Sequence, residues 1–518
     1  MKIVSVEQMQ TIERLADAAG LSYEAMMHHA GRGIADWIYQ HIPTNPGVIG
    51  LIGSGNNGGD TIIALTWLAK WGIRTMGFLV KQRGDDPLIE NYLSAGGAVV
   101  DIGNPDHLNV FQAALTPNVV VLDGILGTGL KLPLRGSLHQ VMAKIYQWIE
   151  NRLDLLVIAV DCPSGVDCDT GEACDVTLTA DHTLTMAAMK KGLLTYPARA
   201  FAGDLHYIGI GIDDPSKYVA EELPELVEQN FVREMFPARP GSGHKGTFGT
   251  SLVIAGSAAY TGAAYLAGKS AYRAGCGLVH MGALPDVHLS LSGRFIEAVW
   301  TVLPEVGGAY DPQGVDVLIN TFHTVESIII GPGWGLRETN IQFLQRLLQS
   351  IPKQIPLLID ADALKLLTKL DRWWTLLPDQ AVLTPHPGEM AVLTGLKIEE
   401  IQADRWSLAR DFAHRWDVNL VLKGAMTVIA SPEDGLFVSP ISDAALATAG
   451  SGDVLSGVIG GLMAQGVKAH EACVLGVWVH GNAGRLAREN VCTDLSVTAL
   501  DILEGLPEAF VKAKEAGD

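Results

Sequence analysis

The chain has no apolar run approaching the ~18 residues needed to cross a bilayer. Its amino terminus, MKIVSVEQMQTIERLADAAG, places no unbroken apolar core behind a basic start. Neither a membrane span nor a secretory leader is expected, and the cytoplasm is the expected compartment. Positive charge is scarce: 37 Lys and Arg against 57 Asp and Glu give a formal net charge of −20 and a pI near 5.1. That balance excludes a nucleic-acid surface, which is built from clustered Lys and Arg. An anionic small molecule must instead be held by local backbone dipoles. Cysteine is also sparse, with six in 518 residues, no CxxC pair and no His at zinc-ligand spacing. The even step from Cys162 to Cys168 to Cys174 is interrupted by a Pro-Ser-Gly turn and an acidic loop, so reduced thiols are expected rather than a metal site.

What is present is a globular composition, 48% hydrophobic and 18% charged, in a chain too long for one ordinary core. Between Ile212 and Phe236 the sequence turns acidic and proline-bearing without a strong period, which marks a boundary. Two domains are expected, over 1–215 and 229–518, with a linker over 216–228.

The first half opens with two expected helices, one started by the capping-box pair Ser5 and Gln8, the other carrying Met26, Met27, Ile34 and Trp37 at helical spacing. GVIGLIGSGNNGGDTIIALTWLAKWG follows, a strand, glycine-rich loop and helix, with the helix expected from Thr61 or slightly earlier. Asn56 and Asn57 can present amide oxygens to a hard cation or accept a left-handed turn, while Gly58 and Gly59 bare the backbone for a pyrophosphate. Strands ending in Asp123 and Asp161 come next, the first followed by GILGTGLKLPLRG. Alternating strands and helices predict a doubly wound parallel sheet whose strand ends converge on a ligand. Lys190 and Lys191 read as a solvated surface pair.

In the second half the most informative stretch is ATAGSGDVLSGVIGGLMAQG, Ala447 to Gly466. Gly450 and Gly452 admit close backbone approach, and the helix opening beside Asp453 directs N–H groups and a positive dipole end at an anion. Asp453 is then either a capping residue or a carboxylate that takes a proton from an attacking hydroxyl. HKGTFG, AGS and TGAA, SIIIGPGWG, PLLIDADALKLL, TPHPGEM and LKGAMTVIA precede it.

GSGDVLSG resembles the GTGD-type signature of ribokinase-like kinases, with Ser451 where Thr is commoner. The ordered set of segments narrows the resemblance to nucleotide-dependent NAD(P)H-hydrate dehydratases, and the first half resembles the NAD(P)H-hydrate epimerase often fused to them. The resemblance implies an α/β chain, a Rossmann-like domain followed by a ribokinase-like one. It implies epimerisation of R and S hydrates (NADHX and NADPHX) and dehydration of the S form at the expense of ADP, giving AMP and phosphate. In the epimerase half it assigns Asn57, Asp123 and Ser164 to a potassium ion. Asn56, Asn57, Gly58, Gly59 and Asp60, the loop Gly127, Thr128, Gly129, Leu130, Lys131, Leu132 and Pro133, and Asp161 would line the hydrate dinucleotide, with Asp161 the proton-transfer residue. In the dehydratase half Ala263, Gly333, His386 and Asp453 would face the hydrate, Asp453 as base. Lys423, Gly424, Ala425, Met426, Thr427 and Gly452 would hold the nucleotide, with magnesium nearby and Asp360 in a structural or magnesium-shell role. His28 and His29 replace the polar pair usual before AG in the first half. A homo-oligomer is expected. The rival reading is a small-molecule kinase with a non-catalytic amino-terminal binding module; it would yield a stable phosphorylated product.

Overall fold

The computed structural model describes residues 1–42, 47–104 and 107–515. The chain divides into two compact units, Met1–Pro224 and Glu225–Asp518. The stretch 216–228 is not free chain: Pro215–Tyr218 forms a 3-10 turn of the first unit, and Glu225–Leu226 is a strand at one edge of the second unit's sheet.

The first unit is built on seven parallel strands, ordered Val99–Asp101, Thr75–Leu79, Val48–Ile52, Val120–Gly124, Leu156–Val160, His182–Met186 and Asp204–Ile208. The central strands are buried on both faces, which is why VIGLI reads as a continuous apolar run rather than an alternation. Ile12, Ile34, Ile62 and Leu65 fill one face, and Phe78, Phe111, Met142 and Ile145 the other. The strand order reverses between Val48–Ile52 and Val120–Gly124, and the crevice beyond the carboxyl ends there is where such sheets bind ligands. The expected helices occur as Val6–Ala18, opened by the Ser5–Gln8 capping box, and Tyr23–His41.

One expectation about the glycine loop is corrected. The helix after Ile52 starts at Asn56, so Asn56 to Asp60 are its first turn and neither Asn adopts the left-handed conformation. Gly58 and Gly59 are buried: a Cβ on Gly58 would lie 2.1 Å from the Gly53 carbonyl oxygen, and one on Gly59 would lie 2.7 Å from the Met27 sulfur. These glycines let the helix settle onto the strand end and its neighbour, which is a packing role.

Beside a two-stranded ribbon, Glu305–Val306 with Ala309–Tyr310, the second unit carries a sheet of ten strands. Seven of them, Val299–Val302, Leu278–Ala283, Thr250–Ile254, Ser327–Ile330, Leu357–Ile359, Ala381–Leu383 and Asn419–Leu422 in spatial order, are parallel; Val428–Ser431 and Gly435–Val438 add antiparallel hairpins. The helices Thr261–Arg273 and Ser451–Ala464 approach so closely that a Cβ on Gly457 would sit 2.1 Å from the Ala267 carbonyl oxygen. The small-residue composition of both helices permits that approach and fixes where the second helix begins.

Candidate active sites

In the first unit, three adjacent strand ends are tied together by side chains. Asn57, on the first turn of its helix, donates from Nδ2 to the carbonyls of Val160 (2.6 Å) and Leu126 (3.2 Å), which turns Oδ1 toward Gly127, where a Cβ would lie only 2.4 Å away. Asp123 is fully buried; its Oδ2 accepts from the Ser164 N–H at 2.8 Å and its Oδ1 from the Ser164 hydroxyl at 2.6 Å. Burial pushes the Asp123 carboxyl above its ordinary range, because the donors reaching it are neutral. Asn57, Asp123 and Ser164 are therefore an amide oxygen, a carboxylate and a hydroxyl around one point of the sheet edge. Such a hard-oxygen set with one buried charge suits a monovalent cation. Among the described residues no cluster of three or more His, Cys, Asp or Glu is disposed for a metal.

Asp161 follows the next strand with φ of 65°, a left-handed conformation that a residue with a Cβ adopts only under constraint. The constraint is visible: its N–H bonds the Leu184 carbonyl at 2.9 Å, and its Oδ1 accepts from the Met186 N–H at 3.0 Å. The same oxygen pairs with the ammonium of Lys190, a residue only 1% exposed. The reading of Lys190 as solvated surface is thus overturned; the chain carries it into the sheet edge on the short strand Met189–Lys190, which pairs with Ile3–Val4. The apolar run TMAAM leading into it was the available signal. Burial, with the carboxylates of Asp161 and Glu13 close by, pushes Asp60 well above the usual carboxylate range. Glu13, raised by burial, belongs to the same group and had no sequence signal.

The loop Gly127 to Pro133 starts against Asn57 and runs outward, with Thr128, Leu130 and Leu132 half-buried and Gly129, Lys131 and Pro133 exposed. Leu132 and Pro133 line a cavity of about 450 Å³ whose walls include Glu172 and Cys174 but neither Asp123 nor Asp161.

In the second unit, Gly450 in the left-handed conformation (φ 90°) caps the helix Ser451–Ala464 and puts Asp453 in its first turn. Burial, then the nearby Asp360, Asp362 and Glu389 carboxylates, push Asp453 up to about 7, although Lys423 opposes this. The Ser451 N–H is taken by the Thr448 carbonyl, so the first-turn amides of Gly452 and Asp453 are the donors the helix end offers an anion. Lys423 bonds Asp360 Oδ1 at 2.7 Å, and a Cβ on Gly452 would be 3.3 Å from the Lys423 Nζ. Ser456 donates to the other Asp360 oxygen at 2.7 Å. Burial works against the Asp360 charge, yet Lys423 and these hydrogen bonds hold its carboxyl below the ordinary value. Both Asp360 oxygens are thus engaged by protein donors, which fixes the carboxylate's orientation.

His386 caps the helix Pro387–Thr394: its Nδ1 accepts from the N–H groups of Gly388 (3.0 Å) and Glu389 (3.2 Å). Burial and the Lys423 and Lys365 charges hold the ring below its ordinary value, so it is neutral with the proton on Nε2. Ala263 and Gly333 meet, a Cβ on Gly333 lying 3.0 Å from that of Ala263. Of the residues 423–427, which turn the hairpin between Asn419–Leu422 and Val428–Ser431, Lys423 points inward, Met426 is buried, Gly424 and Ala425 are exposed, and the Thr427 hydroxyl bonds the Gly424 carbonyl at 2.8 Å. Glu389, 4% exposed, was missed, although HPGE has the spacing of a capping box. His480 was missed too: buried on the helix Ala469–Val491, it sits with Nε2 3.0 Å from the Ser451 hydroxyl, and burial lowers it to about 4.

The family described as NAD(P)H-hydrate dehydratase matches residues 251–508, and the YjeF-related protein N-terminus matches residues 23–192. The bifunctional NAD(P)H-hydrate repair enzyme Nnr of Moorella thermoacetica is 35% identical over 528 residues, covering 99% of this chain and 98% of that protein. Its counterpart in Thermofilum pendens is 33% identical, covering 99% and 97%. Among solved structures, an ADP/ATP-dependent NAD(P)H-hydrate dehydratase from Bacillus subtilis, co-crystallized with ATP/Mg2+, is 29% identical with a TM-score of 0.48, covering 56% of this chain and 99% of that one. With relatives alike from end to end and both halves matched in order, the chain belongs to the bifunctional NAD(P)H-hydrate repair enzyme family.

Proposed function

We propose that the first unit epimerises the hydrated nicotinamide at C6 and the second dehydrates the S form, using ADP, to regenerate NADH or NADPH. The observation that carries the reading is the presence, in one chain, of two separate carboxylate sites: Asp161 at a sheet edge and Asp453 at a helix start.

In the first, Asp161 takes the C6 hydroxyl proton while the bond from C6 to the ring nitrogen breaks and the nitrogen gains a proton. Rotation and reclosure on the other face return both protons and invert C6. Asp60, whose carboxyl burial raises well above its ordinary range, supplies the proton to the nitrogen. Asn57, Asp123 and Ser164 would hold a potassium ion, which supplies fixed positive charge for the dinucleotide phosphates.

In the second, hydroxide is too poor a leaving group, so the hydroxyl is first phosphorylated. Asp453 accepts its proton as the oxygen attacks the terminal phosphorus of ADP and AMP leaves. The first-turn amides and the Lys423 ammonium steady charge on the transferred group. Phosphate then departs from C6 with push from the ring nitrogen, and loss of a C5 proton restores the reduced ring. Mixed R and S hydrates incubated with ADP, ATP or neither test this. Absorbance of the reduced ring should recover with ADP, one AMP and one phosphate appearing per ring, and ATP should serve less well. A stable phosphorylated product would favour the kinase reading instead.

A further inference from the structure

Lys190 is buried behind Asp161, and its ammonium has three acceptors: Asp161 Oδ1, the Met186 carbonyl at 2.8 Å and the Thr185 hydroxyl at 3.3 Å. An ammonium has three N–H donors, so the set is complete. Seen from Asp161, the donors converge on one oxygen. Oδ1 receives the Lys190 ammonium and the Met186 N–H, with the Thr185 hydroxyl 3.3 Å away. Oδ2 is therefore the oxygen left to take a substrate proton, on a side chain still 11% exposed. A carboxylate fastened by one oxygen cannot rotate to exchange the two, and its remaining lone pairs keep a fixed direction.

The surroundings make that fastening necessary. Burial raises the carboxyls of Glu13, on the first helix, and Asp60, on the helix at Asn56, and the Asp161 carboxylate adds to both shifts. Without the ammonium, Oδ1 of Asp161, on its left-handed backbone, would keep only the Met186 N–H and the more distant Thr185 hydroxyl as donors.

We propose that Lys190 is the positioning residue of the epimerase site, fastening Asp161 through Oδ1 so that Oδ2 is presented to the C6 hydroxyl. The inference rests on the assignment of Asp161 as the proton acceptor. It gives the lysine no contact with substrate: its effect passes through Asp161 alone.

The test is a double-mutant cycle in the full-length chain, with epimerisation read as conversion of purified R hydrate to S by chromatographic separation of the epimers. Lys190→Met should lower kcat by about 10²-fold with KM changed less than about threefold, while ADP-dependent dehydration of pure S hydrate stays at the wild-type rate. In an Asp161→Asn background, adding Lys190→Met should change the remaining rate by less than about twofold. A wild-type kcat for Lys190→Met overturns the proposal, and so does an equally large loss in the Asp161→Asn background, which would make the lysine act independently. A wild-type rate for Asp161→Asn alone is a different failure, that of the proton-acceptor assignment. If Lys190→Met does not fold, Lys190→Ala assayed with and without ethylamine replaces it: restoration by ethylamine and not by ethanol supports the proposal, and no restoration overturns it.

Discussion

Two buried carboxylates in this chain, Asp453 and Asp123, are both pushed above their ordinary range, one beside charged neighbours and the other among neutral donors. Asp453 has a folded-state value of about 7 against an ordinary 3.8, mainly through burial. Dehydration should therefore climb as pH rises through about 7 and level off above it, when the base is free to accept a proton. Lys423→Met, which removes the opposing charge, should move that limb upward, as rate measurements on pure S hydrate from pH 5 to 9 would show. Ionising a group whose folded value is raised costs stability, and the cost grows from about pH 4 to about 7 and is complete beyond. Asp453→Asn should accordingly abolish dehydration, by at least about 10²-fold, yet raise unfolding stability at pH 8 by about 1–3 kcal/mol, with a smaller gain at pH 5. A lower melting temperature for this variant at pH 8 would contradict the burial argument. Asp123 is the other kind, buried among neutral donors. If a cation completes its site, Asp123→Asn should lose epimerisation and regain part of it as potassium is raised at constant ionic strength, whereas Asp161→Ala should not respond. Rescue in the reverse pattern would exchange the two roles.

At the scale of elements, the sequence announced strands and helix starts well because they depend on local chemistry. The box at Ser5 and Gln8 and the helix after Gly450 lie where capping groups and glycine placed them. Illegible were contacts made over long separations. The partners of the Asp161 carboxylate lie 24 to 29 residues on, Asp360 meets Ser456 across 96 residues, and no spacing rule links these contacts. The same limit applies to Gly58 and Gly59, where an added Cβ would meet Gly53 and Met27, contacts that no spacing announces. Glycine is needed wherever two elements come too close for a Cβ, and the chain alone does not say whether ligand or protein occupies the space. Gly457 is the sharpest case in the second unit. Gly457→Ala would drive a methyl into the Ala267 carbonyl, so the helix Ser451–Ala464 must shift off Thr261–Arg273. Stability should fall by about 1–3 kcal/mol, as for other overpacked sites. Because Asp453 rides on the same helix, kcat for dehydration should fall as well, while epimerisation holds. Denaturant titration with both assays checks this, and an unchanged dehydration rate would show that the helix start is placed by something other than this contact.

For the molecule as a whole, the two reactions reside in two units with cores of their own, Met1–Pro224 and Glu225–Asp518, and neither proposed carboxylate belongs to the other's unit. The units are joined by covalent continuity, and the intermediate that passes between the reactions, the S hydrate, is a stable molecule able to leave one protein and enter another. Loss of one activity should therefore leave the other at its wild-type rate: Asp161→Asn repairs the S hydrate alone, and Asp453→Asn equilibrates the epimers without consuming ADP. The two variants mixed in equal amounts should then restore reduced nicotinamide from both epimers, because the chain with an intact first unit feeds S hydrate to the chain with an intact second. Recovery should reach the wild-type end point, with the rate at low protein concentration set by whichever reaction is slower rather than by encounter of the two chains. Absorbance recovery from an equal mixture of R and S hydrates with excess ADP measures it directly. If the mixed variants stall once the original S hydrate is spent, while each keeps its own activity, transfer requires both sites on one chain, and the fusion carries a function beyond joint expression.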